Sequence, residues 1–232
     1  MTTSVIIPAA GSGTRLGEDR PKAFVDVGGV SILSRTVASV LAADCLDLDR
    51  IIVVVPDHLI DPVTDDLRIA PCEVVVVPGG AERTDSVRAG AEHVTGEFVL
   101  VHDAARPFTP PAVFDRVVAA LRAGHPVVVP GLPVVDTLKR VDEHGRIGAT
   151  VDRSVLRAIQ TPQGFHADAL VTAYGNTVSA PDSAVGANTT DDAALAERAG
   201  LPVYLVDGDP DAFKITTPWD LRLARAMAQG WD

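Results

Sequence analysis

The sequence of 232 residues predicts an α/β fold in which a mostly parallel, Rossmann-like sheet is flanked by helices. Short runs rich in valine and isoleucine recur along the chain, as is typical of strands buried on both faces. Stretches with apolar residues at helical spacing separate these runs, so strand and helix patterns alternate. The predicted strands span residues 4–8, 50–56, 73–78, 98–103 and 126–130.

The helical patterns lie between these strands and again towards the end of the chain. The first three cover residues 31–43, 83–94 and 110–124, and the third begins with two prolines, which suit a first helical turn. Helical spacing returns at 168–178 and 191–199, a strand follows at 203–206, and a last helix covers 218–229. Ligands of such sheets bind at the carboxyl ends of the strands, so the loops after 8, 78 and 103 are expected to face one crevice.

The alternation of strands and helices stops after Pro133. From there polar and apolar residues alternate around the turn signal Glu143-His144-Gly145, which favours a β-hairpin. We expect an extended arm at about residues 134–157 of a single domain that covers residues 1–232. An arm with little sheet to lie on is expected to pack on a partner subunit, which predicts a homodimer.

Composition narrows the classes of function. The chain is 47% hydrophobic and 22% charged, ordinary values for a globular protein. Its net charge of −11 argues against a broad nucleic-acid or anionic-membrane surface, because both need clustered positive charge. The start lacks a basic segment and its apolar run breaks at Pro8, so we expect no signal peptide, no membrane span and a cytoplasmic location. Cys45 and Cys72 lack metal-site spacing and are expected to be reduced.

The stretch AAGSGTRLGEDRPK at residues 9–22 follows the first predicted strand and predicts an anion site. A Walker loop needs lysine after its second glycine, and a dinucleotide fingerprint needs a third glycine where Leu16 stands, so both are excluded. What remains is a glycine loop whose N–H groups can approach an anion, followed by Arg15 and by Lys22 after a proline. Lysine is rare in this chain, with Lys22, Lys139 and Lys214 as its three examples.

These residues resemble a known family. GSGTR followed by PK is similar to nucleotidyltransferases that join a nucleoside triphosphate to a phosphate-bearing acceptor. PGGAERTDSVRAG, VLVHDAARP, VVDTLKR, TVDRSVLRAIQTPQGF, TTDDA and FKITTPWDL extend the resemblance over the whole chain to the 2-C-methyl-D-erythritol 4-phosphate cytidylyltransferases. Ribitol-phosphate cytidylyltransferases share much of the pattern and stay open as an alternative. The resemblance implies a fold of the nucleotide-diphospho-sugar transferase type.

The implied reaction is attack of an acceptor phosphate oxygen on the α-phosphorus of CTP, with release of pyrophosphate. A phosphate monoester has a second pKa of about 6 and is mostly dianionic at neutral pH, so the step needs cations rather than a base. By resemblance, Arg15, Lys22 and Lys214 would be catalytic, and Asp103 would help to hold Mg²⁺, with Asp211 as a weaker second carboxylate. An apolar setting for Lys214 between Phe213 and Ile215 favours an anionic partner.

The resemblance also implies binding residues. Those assigned to the nucleotide are Ala9, Ala10, Gly11, Gly13, Gly79, Gly80, Ser86 and Ala104. Those assigned to the acceptor, a small polyol phosphate, are Asp103, Arg106, Thr161 and Thr190, with Thr137 and Arg153 from the arm of the partner subunit. Many relatives carry a polar residue where this chain has Ala81, so a side-chain contact is absent there.

Plainer interpretations stand beside these assignments. Gly79 and Gly80 also suit an ordinary strand-to-helix turn, Asp103 a helix cap or an ion pair with Arg106, and the two arm residues cross-strand pairs. A non-catalytic nucleotide-binding module could use the same glycine loop, but it would have little reason to gather three cations. A sugar-1-phosphate nucleotidyltransferase shares GSGTR and PK but normally has a longer chain and lacks HDAARP with the arm.

Overall fold

Strands dominate the order of elements in the computed structural model, which describes residues 1–11, 16–18, 20–175 and 191–230. In chain order the strands are β1 (Thr3–Pro8), β2 (Asp26–Val27), β3 (Val30–Ser31), β4 (Leu48–Val55), β5 (Glu73–Pro78), β6 (Phe98–Val101), β7 (Val127–Pro133), β8 (Lys139–Val141), β9 (Ile147–Thr150), β10 (Arg157–Ile159), β11 (Gln163–His166) and β12 (Val203–Asp207). The five runs predicted as sheet strands are all strands, with ends that differ from the predicted ones by at most three residues.

The main sheet has eight strands among the described residues. Across it the order is β5, β4, β1, β6, β11, β7 and β12. β11 pairs with the start of β7, and β10 pairs with the end of β7. β1 is parallel to β4 and β6, β4 to β5, and β12 to β7. β11 runs antiparallel to both of its neighbours, β6 and β7. The prediction of a mostly parallel sheet is therefore confirmed, and the antiparallel insertion is an addition to it.

Seven α-helices belong to the described residues. They are α1 (Ile32–Leu41), α2 (Ile60–Leu67), α3 (Arg83–Ala91), α4 (Pro111–Arg122), α5 (Ala167–Gly175), α6 (Asp192–Arg198) and α7 (Pro218–Gln229). The predicted helices are confirmed where the chain is described, whereas α2 was not predicted. No described helix has the length and apolar character that crossing a membrane requires.

The two faces of the sheet carry separate apolar layers. Alternate residues of β1 show why: Val5 and Ile7 pack with α1, α2 and α4 on one face, while Ile6 packs with α3, α5 and α6 on the other. Side chains of a strand point to opposite faces in turn, so a run of apolar residues serves both layers. A third, smaller cluster joins α7 to β2 and the start of α1.

The predicted arm is an antiparallel hairpin. β8 pairs with β9, and Gly145 takes a φ of +78° in the turn between them, a conformation that glycine adopts without a steric penalty. The hairpin projects from the sheet, to which the chain returns at β10. Large apolar side chains of the arm stay exposed, among them Val135, Val141, Ile147 and Val155.

Gly164→Ala tests the packing of the antiparallel strand. A Cβ at this position of β11 would lie 2.5 Å from Val117 and 2.9 Å from Leu121 of α4, so we expect a loss of about 1–3 kcal/mol in the free energy of unfolding. Urea denaturation measures it. The matched control is Gly148→Ala in β9, where the nearest atom is 3.5 Å away and the change should stay within about 0.5 kcal/mol. Equal effects of the two substitutions would contradict the packing described for β11.

Candidate active site at the carboxyl ends of the strands

The loops after β1, β5 and β6 meet in one cleft, as the sequence predicted for such strand ends. Its volume is about 250 Å³, and two lysines far apart in the sequence complete its walls. The lining residues are Pro8, Ala9, Ala10, Gly11, Lys22, Ala23, Gly80, Ala81, Glu82, Arg83, Ser86, Asp103, Ala104, Ala105 and Lys214. Gly13 and Arg15, assigned to the same loop, lie outside the described residues.

Two of the loops approach each other closely at Gly79. A Cβ on Gly79 would lie 2.4 Å from the Cβ of Ala10 and 2.9 Å from the hydroxyl of Ser86. Only glycine at this position therefore lets the loops after β1 and β5 approach each other this closely. The Ser86 hydroxyl donates to the Glu82 carbonyl at 3.1 Å and accepts from the Gly80 N–H at 3.3 Å. Ser86 thus fixes the shape of the loop whose backbone lines the cleft.

Asp103 is the charged centre of the site. Its side chain is only 10% exposed, and Lys214 Nζ lies 2.9 Å from Oδ2. Arg83 Nη2 lies 3.2 Å from Oδ1, and Arg106 Nε lies 3.6 Å from Oδ2. Burial alone would raise the pKa of this carboxyl, but Arg83, Lys214 and Arg106 together hold the pKa well below its usual range. Asp103 is therefore a carboxylate at any physiological pH.

A second cavity of about 330 Å³ adjoins the first and shares Arg83, Asp103 and Lys214 with it. Arg106, Ile159, Gln160, Thr161, Gln163 and Asp191 complete its lining. The antiparallel strand β11 delivers this wall, because Gln160 and Thr161 directly precede it beside β6. The structure thus brings together Asp103, Arg106 and Thr161, three of the residues assigned to the acceptor. Thr190 lies outside the described residues.

Four of the assigned residues that the structure describes line neither cavity. Gly79 packs against Ala10 and Ser86, which line the first. Asp211 is exposed in a short turn before Lys214, where its N–H bonds to Asp209. Thr137 and Arg153 are exposed on the arm. Neither arm residue lines either of these two cavities.

The described part of the chain offers few side chains grouped as metal ligands. Within the described ranges, no three His, Cys, Asp or Glu residues are grouped so that they could hold a metal ion. Asp103 is the carboxylate that faces both cavities. This suits Mg²⁺, which needs only one or two carboxylates when phosphates supply its other ligands.

Arg83 and Asp192 are site residues that sequence reasoning did not assign. Arg83 donates to both carboxylate oxygens of Asp192 at 2.7 Å while it also contacts Asp103. Asp192 is fully buried at the start of α6. Both residues stand in motifs quoted for the resemblance, RTDS and TTDDA. Their pairing was invisible because 109 residues separate them in the chain.

His102 supports Asp103 from the interior. Its Nδ1 lies 3.0 Å from the Thr161 hydroxyl, which also accepts a hydrogen bond from the Asp103 N–H at 3.0 Å. The ring packs edge-on against Phe114 at 5.1 Å. Burial lowers the pKa of His102 to about 4, so the imidazole is neutral at physiological pH.

The fold and the site define a class of enzyme. A glycine-containing loop after the first strand and a cationic cluster around one carboxylate, at the edge of a largely parallel sheet, are the arrangement of a nucleotidyltransferase. The family model of IspD, 2-C-methyl-D-erythritol 4-phosphate cytidylyltransferase, matches residues 3–229. The chain belongs to this family.

Similar proteins agree with that assignment. The chain is 51% identical over 225 residues to a 2-C-methyl-D-erythritol 4-phosphate cytidylyltransferase of Rhodococcus jostii, covering 97% of this chain and 94% of that protein. It is 54% identical over 224 residues to the protein of the same name from Nocardia farcinica, covering 96% and 92%. The crystal structure of the Thermus thermophilus enzyme of that name superimposes with a TM-score of 0.79 at 38% identity, covering 99% and 100%.

The neutral state of His102 predicts a pH dependence of stability. Above pH of about 6.5 the ring is neutral in both the folded and the unfolded chain, whereas between about 6.5 and 4 only the unfolded chain takes up a proton. The free energy of unfolding should therefore fall with falling pH in this window, by up to ~1.4 kcal/mol per pH unit from this group. His102→Asn keeps a polar atom near Thr161 and should remove this component. Urea denaturation at several pH values measures it, and parallel curves for the two proteins would refute it.

Proposed function

We propose that the protein transfers CMP from CTP to 2-C-methyl-D-erythritol 4-phosphate, releasing pyrophosphate, in non-mevalonate isoprenoid precursor synthesis. The observation that carries this proposal is the cluster of Arg83, Arg106 and Lys214 around Asp103, where two cavities meet. One cavity has the glycine loops suited to a nucleotide. The other has the cations and hydroxyl suited to a small polyol phosphate.

The chemistry follows from charge. An acceptor phosphate oxygen forms a bond to the α-phosphorus of CTP, and the bond between the α-phosphorus and the bridging oxygen of pyrophosphate breaks. The attacking oxygen is already anionic, so no base is needed. Lys22 and Lys214 line the nucleotide cleft, and Lys214 also lines the acceptor cavity. Both lysines can neutralise the phosphates of the nucleotide as negative charge moves to the leaving group. Arg15, in the same glycine loop, is proposed to share this role.

We propose Mg²⁺ as the metal, with Asp103 as its protein ligand. Asp103 would hold the ion, which would supply positive charge to offset the negative charge of the phosphates. Asp211, which was expected as a weaker second ligand, is exposed and outside both cavities. Asp103 is therefore the one carboxylate that we assign to the metal.

Pyrophosphate release tests the function and the acceptor together. The protein is incubated with CTP and Mg²⁺, and either 2-C-methyl-D-erythritol 4-phosphate or ribitol 5-phosphate is added. We expect pyrophosphate with the first acceptor because the relatives from Rhodococcus jostii and Nocardia farcinica carry that activity in their names. Turnover with ribitol 5-phosphate alone would replace the acceptor and keep the mechanism. CTP binding without pyrophosphate release in the presence of either acceptor would favour a non-catalytic nucleotide-binding module.

We also propose a homodimer in which each arm reaches the active site of the partner subunit. The exposed apolar side chains of the arm support it, because a hairpin with Val135, Val141 and Ile147 in water gains from burial against a second surface. Thr137 and Arg153 would then complete the acceptor site of the partner. A cytoplasmic location is proposed with it, in keeping with the two free cysteines, Cys45 and Cys72.

Subunit mixing tests the shared site. Lys214→Ala and Arg153→Ala subunits, each inactive as homodimers, are mixed and allowed to exchange. If the arm acts across the dimer, each heterodimer has one intact site and one doubly altered site, so about a quarter of wild-type activity should return under random exchange. If Arg153 acts within its own chain, every site keeps one defect and no activity returns. Size measurement before mixing checks that both variants are dimers.

A further inference from the structure

We infer that Asp192 is a positioning residue, which acts through Arg83 and Asp103 to hold Lys214 in the active site. Four charged groups alternate in sign along a continuous path from the buried start of α6 to the cleft. Asp192 contacts Arg83, Arg83 contacts Asp103, and Asp103 contacts Lys214. The contacts of Asp103 with Arg83 and Lys214 lie where the two cavities meet, whereas Asp192 is buried and lines neither cavity.

The first contact fixes the plane of the Arg83 guanidinium. Nη1 and Nη2 donate to the two oxygens of Asp192, both at 2.7 Å, which is the short, two-pronged geometry of a strong arginine–carboxylate pair. The Tyr174 hydroxyl of α5 donates to the same carboxylate. Asp192 is completely buried, so water does not compete for its two carboxylate oxygens.

The start of α6 is itself held in place. Gln163 of β11 accepts from the Ala193 N–H at 2.9 Å and donates to Asp191 at 3.0 Å. Asp191 caps the helix by accepting from the Ala194 N–H. The backbone that carries Asp192 is therefore fastened to the centre of the sheet.

The second contact uses the other edge of the same guanidinium. Nε and Nη2 of Arg83 lie 3.3 and 3.2 Å from Oδ1 of Asp103. These distances are longer than the 2.7 Å to Asp192, so the pair of Arg83 with Asp192 is the stronger of the two. Asp103 consequently keeps Oδ2 available to Lys214 at 2.9 Å.

Removing the charge of Asp192 should redistribute these contacts. Without its first partner, Arg83 is expected to turn fully onto Asp103, because Asp103 is the other carboxylate that it already contacts. Lys214 would then lose its partner and its fixed position. A buried carboxylate contributes little net stability compared with apolar packing. Its role in positioning Arg83 therefore explains why a carboxylate stands at Asp192.

The first test reads the position of Lys214 without any substrate. Lysine acetylation by acetic anhydride is followed by mass spectrometry, and the labelling of Lys214 is divided by that of Lys139 on the exposed arm. Asp192→Asn should raise this ratio at least about twofold, since a released ammonium is more accessible. Asp49→Asn is the matched control: it also removes a carboxylate from an arginine pair, with Arg50 at 3.5 Å, but far from the site, and should leave the ratio unchanged.

The second test is a double-mutant cycle in the pyrophosphate assay, and it rests on the function proposed above. We expect Asp192→Asn to lower kcat roughly 10- to 100-fold, the usual range for loss of a supporting hydrogen-bond partner, with little change in KM for CTP. Because Asp192 acts through Arg83, adding Asp192→Asn to Arg83→Gln should cost little more than Arg83→Gln alone. Effects that multiply, or an unchanged labelling ratio in folded Asp192→Asn, would overturn the inference.

Two outcomes could complicate these tests, and each has its own answer. If Asp192→Asn does not fold, Arg83→Lys replaces it. A lysine cannot bridge both carboxylates, so Asp103 loses the link to Asp192 that orients it towards Lys214, and the labelling ratio should again rise. An unchanged ratio there overturns the inference. If the wild-type protein releases no pyrophosphate, the proposed function fails, and the labelling ratio alone decides the role of Asp192.

Discussion

The site depends on the compensation of one buried carboxylate. Asp103 stands where β6 ends, and its charge would be costly there without partners. Arg83, Arg106 and Lys214 supply them from three separate parts of the chain. The same ion pairs that make the buried charge tolerable therefore bring the cations to one place. Folding and the assembly of the active site are in this sense the same event.

The antiparallel strand β11 explains how those parts meet. It lies between β6 and β7, so the residues just before it, Gln160 and Thr161, arrive beside Asp103. A crossover helix in that place would have produced a parallel strand whose carboxyl end, not its start, reached the cleft. The insertion thus gives the second cavity a wall from a segment that a regular βαβ unit would have directed elsewhere. Gly164 permits it because α4 packs directly on its backbone.

Sequence reasoning recovered the elements with strong local patterns and failed where the signal was non-local. Valine-rich runs and amphipathic spacing located the strands and most helices, and the loops at Ala9 and Asp103 were rightly placed at one edge. α2 was missed because its eight residues include three aspartates and Pro62, although proline is tolerated in a first turn. The pairing of Arg83 with Asp192 could not be predicted, since nothing in TTDDA says which of its two aspartates points inward.

Charge balance within the cluster reconciles an anionic protein with anionic substrates. Three cations face two carboxylates, Asp103 and Asp192, so the cluster keeps a net charge of +1 in a chain of net charge −11. At physiological salt, the repulsion between the acidic surface and a phosphate is screened beyond the Debye length of about 8 Å. Inside the cleft, the proposed reaction would bring the phosphates to cations that already stand together around Asp103. Recognition in the proposed reaction would therefore be local and short-ranged, set by the positions of Lys22, Arg106 and Lys214 in the two cavities and not by the overall charge of the protein.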